Sequence, residues 1–273
     1  MDPLNIDVRP RADLLMRPAS AAASAQIMQS LARGIEVLRA FRQDNTRMTI
    51  ADAARATGVT RAVARRILLT LEHFGYVRSD GRHYYVTSLV LDLGRGFLAQ
   101  PLWQVVRPAL RGISQALNET VSAGVLDGQD VVYTLRVRSA RIVQLELRPG
   151  ARHPAFASSM GRVLLAALPP PALVRHLTKT RLTPFTEFTV VEPEALRRRI
   201  RIVREQGWCY ERDELELGVS SVAVPVVDPG NRTVAALNVS TRSDRTSLQV
   251  AKRTIVPLLL EAAASIRREL ATK

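Results

Sequence analysis

From Ser30 the apolar positions Leu31, Ile35, Leu38 and Phe41 fall on one face of a helix. Met48, Ile50, Ala53 and Ala54 give a second, short helix its apolar side. Gly58 permits a tight turn, and Thr60 is placed to cap a third helix. In that helix Val63, Ile67, Leu68 and Leu71 point inward, which leaves Arg61, Arg65, Arg66 and Thr70 mostly on the other side. The period then drops to two. Tyr76–Ser79 and His83–Val86 alternate around Ser79-Asp80-Gly81-Arg82, a hairpin with Asp-Gly at its tip. Helix, turn, helix and hairpin in this order predict a winged helix-turn-helix over 26–87.

Ser88–Ala99 is again helical in period, with Leu89, Leu91, Leu93 and Phe97 apolar, and is read as a linker helix over 88–100. It is too apolar for an exposed linker, and packing against a second copy of the chain is one way to bury it. Trp103–Asn118 predicts a longer helix, interrupted or bent near Pro108. Three strands follow, Val121–Leu126, Val131–Val137 and Ile142–Leu147, with Asp127-Gly128 as the first turn. Gly161–Leu168 is helical, a further short helix ends near Leu177, and Glu194–Gln206 is a basic amphipathic helix closed by Gly207. Strands are expected at Trp208–Asp213, Ser221–Val227 and Thr233–Ser240. The last helix runs from Asp244 to Leu270 with Leu248, Ile255, Leu259, Ala262, Ile266 and Leu270 inward and a kink at Pro257. Residues 101–273 thus read as a second domain of antiparallel sheet and helices, and the whole chain as α+β. Residues 1–25 read as a flexible tail.

Composition adds constraints. The formal charge of +14 suits an acidic partner such as nucleic acid, although the excess is spread along the chain. The placement of Arg61, Arg65, Arg66 and Arg82 is more informative than the total. A single cysteine, Cys209, allows no intrachain disulfide and fits a reducing cytoplasm. His73, His83, His153 and His176 lack ligand-like spacing, so neither a metal nor another cofactor is expected. No apolar run approaches the roughly 20 residues that span a bilayer.

The basic helix face suits a groove lined by phosphates and guanine edges. Arg65 and Arg66 are the candidates for base edges, and Arg61 for a base or a phosphate. Thr60 can offer its hydroxyl and N–H to a phosphate at the helix start. Arg82, at the wing tip, is placed for the backbone or an adjacent minor groove. Arg78 is either a further contact or a surface residue of the wing.

Four segments, SLARGIEVLRAF (30–41), TRAVARRILLTLEHFGYV (60–77), HPAFASSMGRVLLA (153–166) and GWCYERDELELGVSSVAVPV (207–226), resemble the IclR family of bacterial transcriptional regulators. The resemblance runs from about Ser30 to Leu270. The second and third segments look especially like the branch that controls protocatechuate and 4-hydroxybenzoate breakdown through the β-ketoadipate pathway. Ala62-Val63 stands where much of the family has Ser-Thr, and the acidic run reads Glu-Arg-Asp-Glu. The first departure bears on base preference, the second on effector choice. The resemblance implies a winged-helix domain joined by a helix to a GAF-like effector domain, pairing into a dimer or a dimer of dimers, and an operator of palindromic or repeated half-sites. It does not fix whether the protein represses or activates.

The effector pocket is expected at Ser158-Ser159-Met160-Gly161. A Ser pair before an apolar helical run is a helix cap, free N–H groups there favour a carboxylate, and Gly161 leaves room for a ligand near the backbone. An ordinary capped helix with a packing glycine is the competing reading. By carry-over from the family, Glu211, Ser221, Asn238 and Ser240 face the same cavity, and Asp213 matches a nearby acidic position. Glu211, Asp213, Glu214 and Glu216 would repel an anion unless a cation intervenes. Arg136 is the candidate for that role, with Arg138 and Arg152 in reserve, each otherwise solvent-facing or ion-paired. The expected effector is a small carboxylate, with an aromatic acid preferred. An enzyme built on Ser158 or Ser159, His153 and Asp213 is disfavoured, because no Gly-x-Ser-x-Gly elbow surrounds either serine. An architectural DNA binder is disfavoured by the second, polar-lined domain.

Overall fold

The computed structural model describes residues 27–42, 45–139 and 148–272. The expected tail over 1–25 and the expected strand Ile142–Leu147 lie outside the described residues. The chain divides into two compact units, one running to Ala99 and the other from Gln100 onward.

The first unit contains α1 (Gln29–Ala40), β1 (Arg47–Met48), α2 (Ile50–Thr57), α3 (Arg61–His73), β2 (Val77–Ser79), β3 (Tyr84–Val86) and α4 (Val90–Leu98). The helix-turn-helix forms for the reasons read in the sequence. Thr49 and Asp52 close a reciprocal capping box at the start of α2, and Gly58 ends it in the left-handed region at φ 67°. One difference is that Met48 does not belong to α2. It pairs with Tyr84 in a third strand, so the wing is a sheet of order β1-β3-β2. A two-residue strand is too short to show a period. The core gathers Val37, Met48, Ala53, Ala64, Leu68, Val77 and Tyr84. Ala64 and Leu68 are the buried residues of α3, while Val63, Ile67 and Leu71 are only half-buried. On α1, Leu31 and Ile35 are exposed rather than inward, and α4 leaves Leu91 and Leu93 exposed.

The second unit is built on a six-stranded antiparallel sheet of order β6-β5-β4-β9-β8-β7. Its strands are β4 (Thr120–Asp127), β5 (Asp130–Val137), β6 (Arg152–Pro154), β7 (Cys209–Arg212), β8 (Val219–Val227) and β9 (Thr233–Arg242). Its helices are α5 (Pro101–Leu117), α6 (Ser159–Ala166), α7 (Pro170–Lys179), α8 (Pro193–Gln206), α9 (Leu248–Val250) and α10 (Val256–Leu270). Alternation sorts the two faces. Val222, Val224, Leu237 and Val239 are buried on one, where α5 and α10 pack. Tyr133, Ala223 and Ala236 lie on the other and join one apolar core with α6 and α8.

The structure amends several sequence expectations here. The short strand β6 was not expected. Helix α5 runs through Pro108 as one element. The last helix begins after Ser247 rather than at Asp244, leaves Leu248 exposed, and opens into a π turn over Ala251–Ile255 just before Pro257. Proline lacks an N–H to donate, and a π turn is one way a helix absorbs that loss.

Candidate functional sites

In the first unit, Thr60 caps α3 and its hydroxyl accepts from Val63 N–H at 3.3 Å. Arg61, Arg65, Arg66 and Arg82 are exposed, and no ion pair among the described residues engages them. Arg61, Arg65 and Arg82 line one open concavity together with Thr49 and Ile50 at the start of α2. Arg66 is on the same helix but does not line it. The wing tip is held from within. Asp80 accepts from the backbone N–H groups of Arg82 at 2.9 Å and His83 at 2.7 Å, and from the Tyr85 hydroxyl at 2.8 Å. These bonds hold the Asp80 carboxyl well below the ordinary carboxylate range, the His83 N–H foremost. The Arg78 guanidinium lies 4.7 Å from the centre of the Tyr85 ring, a cation–π contact that ties it to the wing.

In the second unit, polar side chains run in two rows across the strands. Glu211, Ser221, Ser240 and Thr120 are successive cross-strand partners. Cys209, Ala223, Asn238, Ser122 and Arg136 form the next row. The register of β4 with β5 slips at Ala123/Gly124, where Leu135 pairs with Ala123 and Tyr133 with Gly124, leaving Thr134 as an extra residue. The Thr134 hydroxyl donates to the Ala123 carbonyl at 3.0 Å. The bulge puts Tyr133 and Arg136, three residues apart, on one wall. A Cβ on Gly124 would come within 2.8 Å of Val132 O, so only glycine fits opposite.

These rows line a cavity of about 40 Å³. Of the expected effector residues, Arg136, Glu211, Ser221, Asn238 and Ser240 are in its wall. Ser158 of the expected serine pair is there too, and Tyr133, His153, Leu215, Glu216, Val219, Thr241 and Arg242 complete the wall and were not expected there. His153 stacks edge-on to Tyr133, with centroids 5.3 Å apart. Only the bulge and the short strand β6 bring these two together, and neither leaves a periodic signal. Ser159 lies behind the wall, 2.7 Å from the Ser221 hydroxyl.

Two expectations need correction. Gly161 does not leave room for a ligand, because a Cβ there would meet Ala155 O at 2.1 Å. It is a packing glycine, and its N–H already donates to Ser158 Oγ at 3.2 Å. Met160 is buried in the apolar core beside it. Asp213 is not in the wall. It accepts from Gly218 N–H at 2.7 Å and pairs with Arg212 at 3.2 Å.

One member of the acidic run, Glu214, is neutralised internally by a residue the sequence did not single out. Arg162 is 1 % exposed and binds Glu214 through two bonds of 2.6 and 2.5 Å, while its Nε donates to Phe156 O. Arg152 is consumed by Asp127 and Asp130, and Arg138 is exposed. Arg242 is also in the wall but is paired with Asp244 at 2.6 Å, so Arg136 stands as the wall's cation with no ion-pair partner among the described residues. Burial lowers its pKa, and its buried Nε and Nη1 have no partner among the described residues. Glu211 is 4 % exposed, and burial pushes its carboxyl up to about 7 against the opposing Ser221 bond, with Glu214 adding to the rise. No group of three His, Cys, Asp or Glu among the described residues is placed to hold a metal ion. No helix among them is long and apolar enough to cross a membrane.

A basic winged helix and a sheet-walled cavity in one chain define a bacterial transcriptional regulator with a sensing unit. Residues 30–81 match the IclR helix-turn-helix domain and residues 98–268 the bacterial transcriptional regulator IclR C-terminal domain, and the chain belongs to the IclR family. It is 37% identical over 281 residues to the Pca regulon regulatory protein of Pseudomonas putida, covering 98% of this chain and 97% of that one. A solved chain from Rhodococcus sp. RHA1 superposes with a TM-score of 0.80 at 42% identity, over 90% of this chain and 99% of that one. An IclR homologue of Microbacterium hydrocarbonoxydans, solved in complex with 4-hydroxybenzoate, superposes with a TM-score of 0.79 at 27% identity, over 89% and 100% of the two chains.

Proposed function

We propose that this regulator binds an aromatic carboxylic acid between Arg136 and the polar rows of its sheet, and that occupancy changes how its winged helices engage an operator upstream of aromatic-acid catabolic genes. The observation that carries this reading is the Arg136 guanidinium, buried against the cavity with Nε and Nη1 lacking partners among the described residues. A carboxylate supplies both a counter-charge and the missing acceptors. The similarity to a Pca regulon regulator and to a homologue that holds 4-hydroxybenzoate points to the same class of acid. The cavity has room for only a few waters as it stands, so entry of a ring requires the side chains around it to give.

The exposed Leu31, Ile35, Leu91, Leu93 and Phe97 of the first unit support pairing of two copies, which would present two recognition helices to paired half-sites. The cavity is read as binding rather than catalytic. Ser158 is spent on capping α6, Ser159 is bonded to Ser221, and Asp213 is turned toward Gly218. The protein works in the cytoplasm, on DNA.

Calorimetric titration with 4-hydroxybenzoate and protocatechuate, alongside footprinting of the upstream region with and without each acid, tests the proposal. Binding of either acid, an altered footprint, and at least a tenfold weaker Kd in Arg136→Ala are expected. An unchanged Kd in that variant removes Arg136 from the site, and failure of every aromatic acid to bind overturns the reading.

A further inference from the structure

The edge strand β6 delivers one side chain to the cavity. It is bonded to β5 alone, in the register Asp130 with Pro154, Val131 with His153 and Val132 with Arg152. Arg152 is turned to the end of the β4–β5 hairpin, where it meets Asp127 at 2.8 Å and Asp130 at 3.0 Å. Alternation then sends His153 to the opposite face, the one that carries the buried Val131 and Tyr133. His153 lines the cavity there, edge-on to the Tyr133 ring. No hydrogen bond or ion pair among the described residues engages its ring nitrogens. A half-buried imidazole ordinarily spends at least one nitrogen on a partner, and the cavity is where this one can find it.

The charged groups of the wall are sorted by strand. Arg136 on β5 and His153 on β6 stand at one end of the sheet order. Glu211 on β7 is at the other end, with Glu216 in the segment after it, and Arg242 is paired with Asp244. Asp130 of β5 is spent on Arg152. Tyr133 is uncharged at neutral pH, since burial pushes its hydroxyl up to about 12. Burial, and after it the Arg136 charge, holds the His153 imidazole below its ordinary value against the pull of Asp130. At neutral pH His153 is therefore an uncharged neighbour of a cation. An anion seated on Arg136 reverses this, because it cancels the repulsion and offers an acceptor to a ring N–H.

We infer that His153 is a second donor to the effector's carboxylate, which bridges the Arg136 guanidinium on β5 and the imidazole on β6. The inference rests on the carboxylate lying at Arg136. The ring takes a proton from solvent as the acid binds, so that both of its nitrogens become donors. Counting Arg136, His153 and the carboxylate, this end of the cavity then carries one positive charge before binding and one after. An uncharged analogue of the acid draws no such proton.

The test is an NMR pH titration of the full-length protein with isotope-labelled histidine rings, the His153 signal being the one that vanishes in His153→Gln. Saturating 4-hydroxybenzoate should raise the midpoint of that signal by about one pH unit or more. The amide 4-hydroxybenzamide, which has the same ring and no charge, should leave it in place. His153→Phe keeps a ring against Tyr133 and should melt with the wild type, while its Kd for 4-hydroxybenzoate, by calorimetry at about pH 6, weakens about tenfold. A His153 midpoint that the acid does not move overturns the inference on the wild type alone, and an unchanged Kd in His153→Phe overturns it too. If affinity falls in Arg136→Ala but the acid leaves the His153 midpoint where it was, Arg136 keeps its role and only that of His153 is lost. If 4-hydroxybenzoate does not bind the wild type, it is the assignment of Arg136 that fails, and that of His153 falls with it.

Discussion

Glu211 is a carboxylate buried in the wall of the cavity with Ser221 beside it, and its protonation should show in stability. Its ordinary value near 4.3 is raised to about 7 in the folded protein, by burial first. A raised pKa means the folded state holds the proton more tightly. The stabilisation is fully present below the unfolded value and is lost as pH rises through about 7. Between pH 6 and pH 8 the wild type should therefore lose on the order of 1 kcal/mol relative to Glu211→Gln, which does not titrate there. Melting curves of both proteins at several pH values check this, and a constant gap between them would contradict it. At the wing, Asp80→Ala should loosen the tip that presents Arg82 and weaken operator binding in mobility-shift assays without changing the preferred sequence. Arg82→Ala should do the same and lower the salt slope of binding by about 1. Arg65 and Arg66 were readable in the sequence because a helical period separates a core face from an outer one, and surface arginines follow from it directly. Arg162 was not readable. Its period places it on a buried helix, and the Glu214 that makes burial tolerable is 52 residues away.

Among the elements, α6 shows how a motif can be recognised and its physics misread. Ser158 does cap the helix, as its place before an apolar run implies. The glycine that follows serves the backbone of Ala155, a contact across a short 3₁₀ turn that no linear pattern encodes. Gly161→Ala should cost about 1–3 kcal/mol or more by overpacking, and should lower effector affinity only through the displaced helix. Thermal denaturation and calorimetry together separate the two effects. The buried bidentate pair of Arg162 and Glu214 joins α6 to the segment carrying Leu215 and Val219 of the cavity wall. Arg162→Met alone should cost about 3–5 kcal/mol, because it strands a buried carboxylate. The double variant with Glu214→Leu should recover much of that loss in chemical denaturation. The strands β8 and β9 were legible because nine or ten residues of alternation leave little freedom. The helical face of α1 was not, since Leu31 and Ile35 are apolar yet exposed.

For the whole molecule, a winged helix-turn-helix followed by an α+β unit was legible from the helical and alternating periods and from the motifs. The convergence of β5, β7, β8 and β9 on one cavity was not, because the sheet order places the first hairpin and the last three strands side by side only in three dimensions. Analytical ultracentrifugation of Leu91→Glu, Leu93→Glu tests the pairing proposed for the first unit, with dissociation to monomers and weaker operator binding as the expected result. The extra residue in β5 has a longer reach. One codon inserted between Leu135 and Arg136 would move Arg136 from its place opposite Ser122 to one opposite Val121 and turn it out of the chamber. Descendants of this scaffold can thus trade an anionic signal for a neutral one in a single heritable step, while the surface that addresses the genome stays as it was.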